Sequence, residues 1–95
     1  MEIRETETFR KWFSGLLDVR AKRQIDIRIR RLAIGNPGDV APVGEGVSEM
    51  RIFYGPGYWV YFKDTGKEII ILLCGGDKST QGRDIEKAKK LAKGF

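Results

Sequence analysis

Six consecutive apolar residues, Ile69-Ile70-Ile71-Leu72-Leu73-Cys74, constrain this chain more than any other feature. They follow an Asp64-Thr65-Gly66-Lys67 turn and precede Gly75-Gly76. The run is the longest apolar stretch present and falls far short of the ~20 residues of a membrane-spanning helix. Bounded by turn residues, it reads as a strand, and a strand without alternation must be covered on both faces. A chain of 95 residues has room for one such arrangement. We therefore expect a single domain, residues 1–95, layered around that strand.

The flanking periodicities supply the layers. Met50, Ile52 and Tyr54 alternate with Arg51 and Phe53, and Tyr58, Val60 and Phe62 alternate with Trp59, Tyr61 and Lys63. Gly55-Pro56-Gly57 joins these two strands, so the predicted sheet is a meander whose last strand ends at Gly75-Gly76. Upstream the spacing is helical. Phe9, Trp12, Phe13, Leu16 and Leu17 form one face, with Thr6 or Thr8 as cap. Ala21, Ile25, Ile29 and Leu32 form a second, with Asp18 as cap and Gly35-Asn36-Pro37-Gly38 as stop. The two make an αα-hairpin. Ile3 to Thr6 suits a short edge strand, and Asp39 to Gly46 is expected to be a loop. Ser79 or Thr80 starts a final helix with Ile85, Ala88, Leu91, Ala92 and Phe95 on one side. The expected order is β-α-α-β-β-β-α, an α+β domain with helices packed on a largely antiparallel twisted sheet.

Composition removes many chemistries. The chain has no histidine and one cysteine, Cys74. Zinc sites of the usual kinds, disulfide frameworks and Ser-His-Asp or Cys-His catalysis are excluded. The N-terminus lacks an apolar stretch after a basic start, so a soluble cytoplasmic protein is expected, with no membrane partner. The formal net charge of +5 is unevenly placed. Arg10 to Arg31 holds eight bases against two acids, and Gly76 to Phe95 six against three. Leu32 to Gly75, the predicted sheet, is net negative. A polyanion suits such a field, as does a plain solvated helix face.

Particular residues carry candidate chemistry. Gly75-Gly76-Asp77-Lys78-Ser79-Thr80 lacks Walker spacing but places a lysine at a glycine turn before a helix, either an anion site or a simple turn. Arg51, between two core-facing residues, lies on the opposite strand face, where it either contacts phosphate or is merely solvated. Trp59 and Tyr61 share a face; exposed they stack on unpaired bases, and under a helix they are core. The carboxylates form no evident catalytic pair, with Glu45 and Glu49 only flanking a loop and a strand start.

Several segments together carry a resemblance over essentially the whole chain. They are Gly46-Val47-Ser48-Glu49-Met50-Arg51-Ile52, Tyr54-Gly55-Pro56-Gly57-Tyr58, Val60-Tyr61-Phe62, Leu72-Leu73-Cys74-Gly75-Gly76-Asp77-Lys78-Ser79 and Asp84-Ile85. The sequence resembles the phage-derived, HigB-like addiction module killer branch of the RelE/ParE toxin superfamily. The resemblance implies a RelE-like fold and the toxin of a type II toxin–antitoxin module. It implies a ribosome-dependent mRNA endonuclease that uses the RNA 2′-OH as nucleophile, without metal or cofactor. Its partners would be the ribosome, mRNA and a helix-turn-helix antitoxin. Carried over, the catalytic positions are Arg51 and Lys78. Charge and neighbourhood alone add Lys63 and Arg83 as auxiliary phosphate contacts, and their shared strand face adds Trp59 and Tyr61 beside the RNA. Two features depart: relatives usually carry arginine where this chain has Trp59, and the C-terminal Tyr or His that some relatives use is missing, the final helix having Ile85 and Phe95 instead. Losing one charge-assisted phosphate contact costs about 1.5–3 kcal/mol, so either the enzyme is attenuated, or Trp59 stacks on a base and other cations compensate. A ParE-like gyrase poison, or a remnant that only binds antitoxin, would share this fold.

Overall fold

The computed structural model describes all residues, Met1–Phe95, as three helices on a five-stranded mixed sheet. In chain order the elements are β1 (Glu2–Glu5), α1 (Glu7–Ser14), α2 (Val19–Ala33), β2 (Val40–Gly44), β3 (Val47–Ile52), β4 (Tyr58–Asp64), β5 (Ile69–Asp77) and α3 (Gln81–Ala92). A single 3-10 turn, Lys78–Thr80, separates β5 from α3. The sheet order is β1-β5-β4-β3-β2; β1 runs parallel to β5, and the other pairings are antiparallel.

The apolar strand dictates the layers as expected. Ile70 and Leu72 of β5 enter one core with Met50, Ile52, Val60 and Phe62, closed by Phe9 of α1 and Ala21, Ile25 and Leu32 of α2. Ile71, Leu73 and Cys74 enter a second core with Val47 and Tyr61, closed by Ala88 and Ala92 of α3. The helix starts follow the expected caps. Thr6 Oγ1 accepts from Phe9 N at 3.0 Å, and Asp18 Oδ1 accepts from Arg20 N and Ala21 N.

Five expectations need correction. The strand expected from Met50 to Tyr54 runs from Val47 to Ile52 instead, and Phe53 and Tyr54 belong to the turn, where Gly57 N donates to Tyr54 O. Residues 39–46 are not a loop: Val40–Gly44 pairs antiparallel with β3 as an edge strand. Pro42 is tolerated at an edge, where its missing N–H disrupts no ladder. Gly75-Gly76 does not end β5, which continues to Asp77. Leu17 lies beyond α1, which stops at Ser14, and is 96% exposed. Phe95 lies beyond α3 and is likewise exposed.

The end of β5 explains its glycines. The β4–β5 register shifts between Tyr61 and Phe62, leaving Leu73 as an extra residue. Leu73 and Cys74 therefore both face α3. This bulge sends Gly75 toward Trp12 of α1 and Gly76 toward Asp84 of α3. A Cβ at either glycine would overlap the side chain seated there.

Candidate functional site

Register decides which candidate residues meet. Arg51 pairs with Trp59, and Trp59 with Gly76, so the three form one row across β3, β4 and β5. Trp59 packs at the margin of the second core, which puts the row on the α3 side of the sheet. Lys78 follows two residues after Gly76, exposed in the 3-10 turn. Arg83 is exposed in the first turn of α3. Arg51, Trp59, Lys78 and Arg83 thus come from the same end of the sheet.

The β3–β4 hairpin shapes the ground in front of this row. A cleft of about 310 Å³ is lined by Arg51, Phe53, Tyr54, Gly57, Tyr58 and Trp59 among others. Gly57 holds φ +87°, a conformation natural to glycine, and lies against the Trp59 indole. The Arg51 guanidinium stands 5.3 Å from the centre of the exposed Phe53 ring. Its Nε is 3.9 Å from Asp39 Oδ2, with both side chains half exposed, so the pair holds the arginine only loosely. The backbone beneath is firmer: Arg28 of α2 donates to the carbonyls of Arg51 and Pro37.

Polar groups on this face are poorly matched. Glu49 Oε2, Arg51 Nε, Trp59 Nε1 and Tyr61 OH are all buried and have no hydrogen-bond partner in the chain. They belong to two cross-strand pairs, Glu49 with Tyr61 and Arg51 with Trp59. Buried polar atoms without partners are rare in folded proteins, so these four mark the least satisfied polar patch on the α3 side of the sheet. Glu49 is the functional candidate that sequence reasoning passed over. Its position two residues before Arg51 on one strand, hence on the same face, was the available signal.

Two other candidates do not serve as expected. Tyr61 is 0% exposed beneath α3, so it neither stacks on a base nor exchanges a proton with substrate. Burial, and then the Glu49 and Asp84 carboxylates, push its phenol well above the ordinary value. Lys63 lies four residues along β4 from Trp59, roughly 13 Å away. Its ammonium donates to Ala92 O at 3.3 Å and Phe95 O at 2.6 Å, holding the C-terminal end of α3. Lys78 also differs from a phosphate loop. The preceding Asp77 accepts from Ser79 N and Ser79 Oγ, which fills the turn and holds its carboxyl below the usual range. No three His, Cys, Asp or Glu side chains are gathered to hold a metal ion. No helix is long and apolar enough to cross a membrane.

No family model matches the chain. An uncharacterized protein of Haemophilus influenzae strain Rd is 51% identical over 92 residues, covering 97% of this chain and 93% of that protein. The chain belongs to that protein's family. The match runs nearly end to end in both chains, so it covers the whole domain.

Proposed function

We propose that the chain is a RelE/HigB-like toxin of a type II toxin–antitoxin module, acting in the cytoplasm as an attenuated mRNA endonuclease on the ribosome. The observation that carries this reading is the row Arg51–Trp59–Gly76, with Lys78 just beyond it and unpartnered polar atoms along it. Arg51 and Lys78 hold the scissile phosphate, and Arg83 holds a neighbouring one. Trp59 and the exposed Phe53 offer rings on which unpaired bases stack. Glu49 takes the proton of the RNA 2′-OH as its oxygen attacks phosphorus. The bond to the 5′-oxygen breaks, leaving a 2′,3′-cyclic phosphate, and Lys78 returns a proton to the departing oxygen. Neither metal nor cofactor takes part. A helix-turn-helix antitoxin masks the toxin.

Trp59 supplies a ring and one N–H donor where an arginine would supply a charge. The Trp59→Arg variant is therefore expected to raise cleavage roughly tenfold to a hundredfold. The experiment induces the chain and this variant and maps mRNA ends by primer extension. Cuts at defined positions within codons, stronger in Trp59→Arg, support the reading. Intact mRNA from both overturns it, and intact mRNA with DNA damage would assign a gyrase poison instead.

A further inference from the structure

We propose that the outward face of α2 is a docking surface for an acidic amphipathic helix of a partner protein. Val19, Arg23, Ile27, Arg30 and Ile34 recur at steps of four, four, three and four, a stripe opposite the buried Ala21, Ile25 and Leu32. Val19 is 68% exposed and Ile34 80%, Ile27 is exposed as well, and Leu17 extends the apolar end. Most of the large exposed hydrophobic residues of the molecule thus fall on one helix and its flanks. Val19, Ile27 and Ile34 stand roughly 10–12 Å apart along the helix with Arg23 and Arg30 between them, and their alignment into one stripe, rather than the size of any single patch, suits a contact with another macromolecule.

Charge selects the occupant. Arg30 pairs with Asp26, while Arg20, Arg23 and Arg31 have no carboxylate within ion-pair distance. A second copy of this chain, docked about a two-fold axis, would set these arginines against one another. Nucleic acid would satisfy them but leave Leu17, Val19, Ile27 and Ile34 without partners. A protein segment with glutamates or aspartates flanking an apolar ridge satisfies both. The sheet edges are β1 and β2, and α2 exposes no unpaired strand, so an added strand has nothing to pair with. The stripe runs about 22 Å along a straight helix, which fits a second helix packed ridge into groove. The inference deepens the partner proposed above by locating its contact, and it does not require nuclease activity.

The test titrates the full chain with a synthetic helix of about 20 residues, roughly 30 Å long, bearing leucines on one stripe and glutamates beside it. A version with lysines for glutamates is the control. Saturable amide NMR shifts confined to Leu17, Val19, Arg23, Ile27 and Ile34 are expected, and the lysine version should not bind. Arg23→Glu and Ile27→Asp, both at exposed positions, should each weaken binding at least tenfold while leaving the rest of the spectrum unchanged. Four outcomes of the titration overturn the proposal. These are no saturable binding at millimolar peptide, equal binding of the lysine version, shifts centred on residues 53–59, or RNA moving the α2 signals as strongly. Self-association abolished by Ile27→Asp would assign the face to a second copy and overturn it as well. Codon-specific mRNA cleavage is scored separately, so either reading can fail alone.

Discussion

Gly76 has no side chain because the Asp84 carboxylate, 6% exposed and receiving the Thr80 hydroxyl, fills the space a Cβ would need. Gly76→Ala should therefore lower the stability by about 1–3 kcal/mol, read as an earlier urea midpoint at unchanged slope. Gly82, in the first turn of α3, meets nothing within 4 Å, and there the same substitution should stabilise by about 0.4–1 kcal/mol. Opposite signs at two glycines six residues apart separate packing from backbone entropy; equal signs would refute the packing account. Asp77 gives a pH-dependent counterpart. Its folded carboxyl is held low by the Ser79 hydroxyl and N–H. The stability it adds is thus fully present above the unfolded value of about 3.9 and is lost as pH falls through the lower folded value. Asp77→Ala should be less stable than the parent at pH 7, with the difference closing toward pH 2. Urea midpoints across that range check it, and a gap that widens on acidification would reverse the sign.

Lys63 sits at the junction of two elements, and its role belongs to that scale. Its ammonium donates to Ala92 O at the end of α3 and to Phe95 O beyond it, where a cation also suits the helix dipole. Lys63→Met should cost about 1 kcal/mol and lower the melting temperature by roughly 4–8 °C, with RNA binding unaffected. Loss of RNA binding at unchanged melting temperature would return Lys63 to the site. Residue types reveal such roles unevenly. Alternation in Met50–Tyr54 and Tyr58–Lys63 made β3 and β4 legible, and the four- and three-residue spacings did the same for α1, α2 and α3. The β2 strand was hidden because Pro42 and Gly44 interrupt any pattern in five residues. The Leu73 bulge was hidden for a deeper reason. A one-residue shift leaves no trace in a run that is apolar on both faces, yet it decides which helix meets Gly75 and which meets Gly76. At the site, the pairing of Arg51 with Trp59 could be read from two hairpin strands. The burial of Tyr61 and the use of Lys63 depend on where α3 crosses the sheet, which local sequence does not encode.

At the scale of the whole molecule, the net charge of +5 resolves into two surfaces of different chemistry. Arg51, Lys78 and Arg83 gather at one end of the sheet beside exposed aromatic surface, the combination suited to single-stranded RNA. Arg20, Arg23 and Arg31 lie on α2 among aliphatic residues, the combination suited to protein. Counter-ion release distinguishes them, because each phosphate neutralised on a single strand contributes about −0.7 to the slope of log K against log salt. Three cations at the sheet end predict a slope of about −2 for a short single-stranded RNA. Arg51→Gln or Lys78→Gln should each flatten it by about 0.7, whereas Arg23→Gln should leave it unchanged although it removes the same formal charge. Fluorescence anisotropy across a salt series makes the comparison directly. If the slope follows net charge regardless of position, RNA is held by the diffuse field of the molecule, and the division into an RNA surface and a protein surface fails.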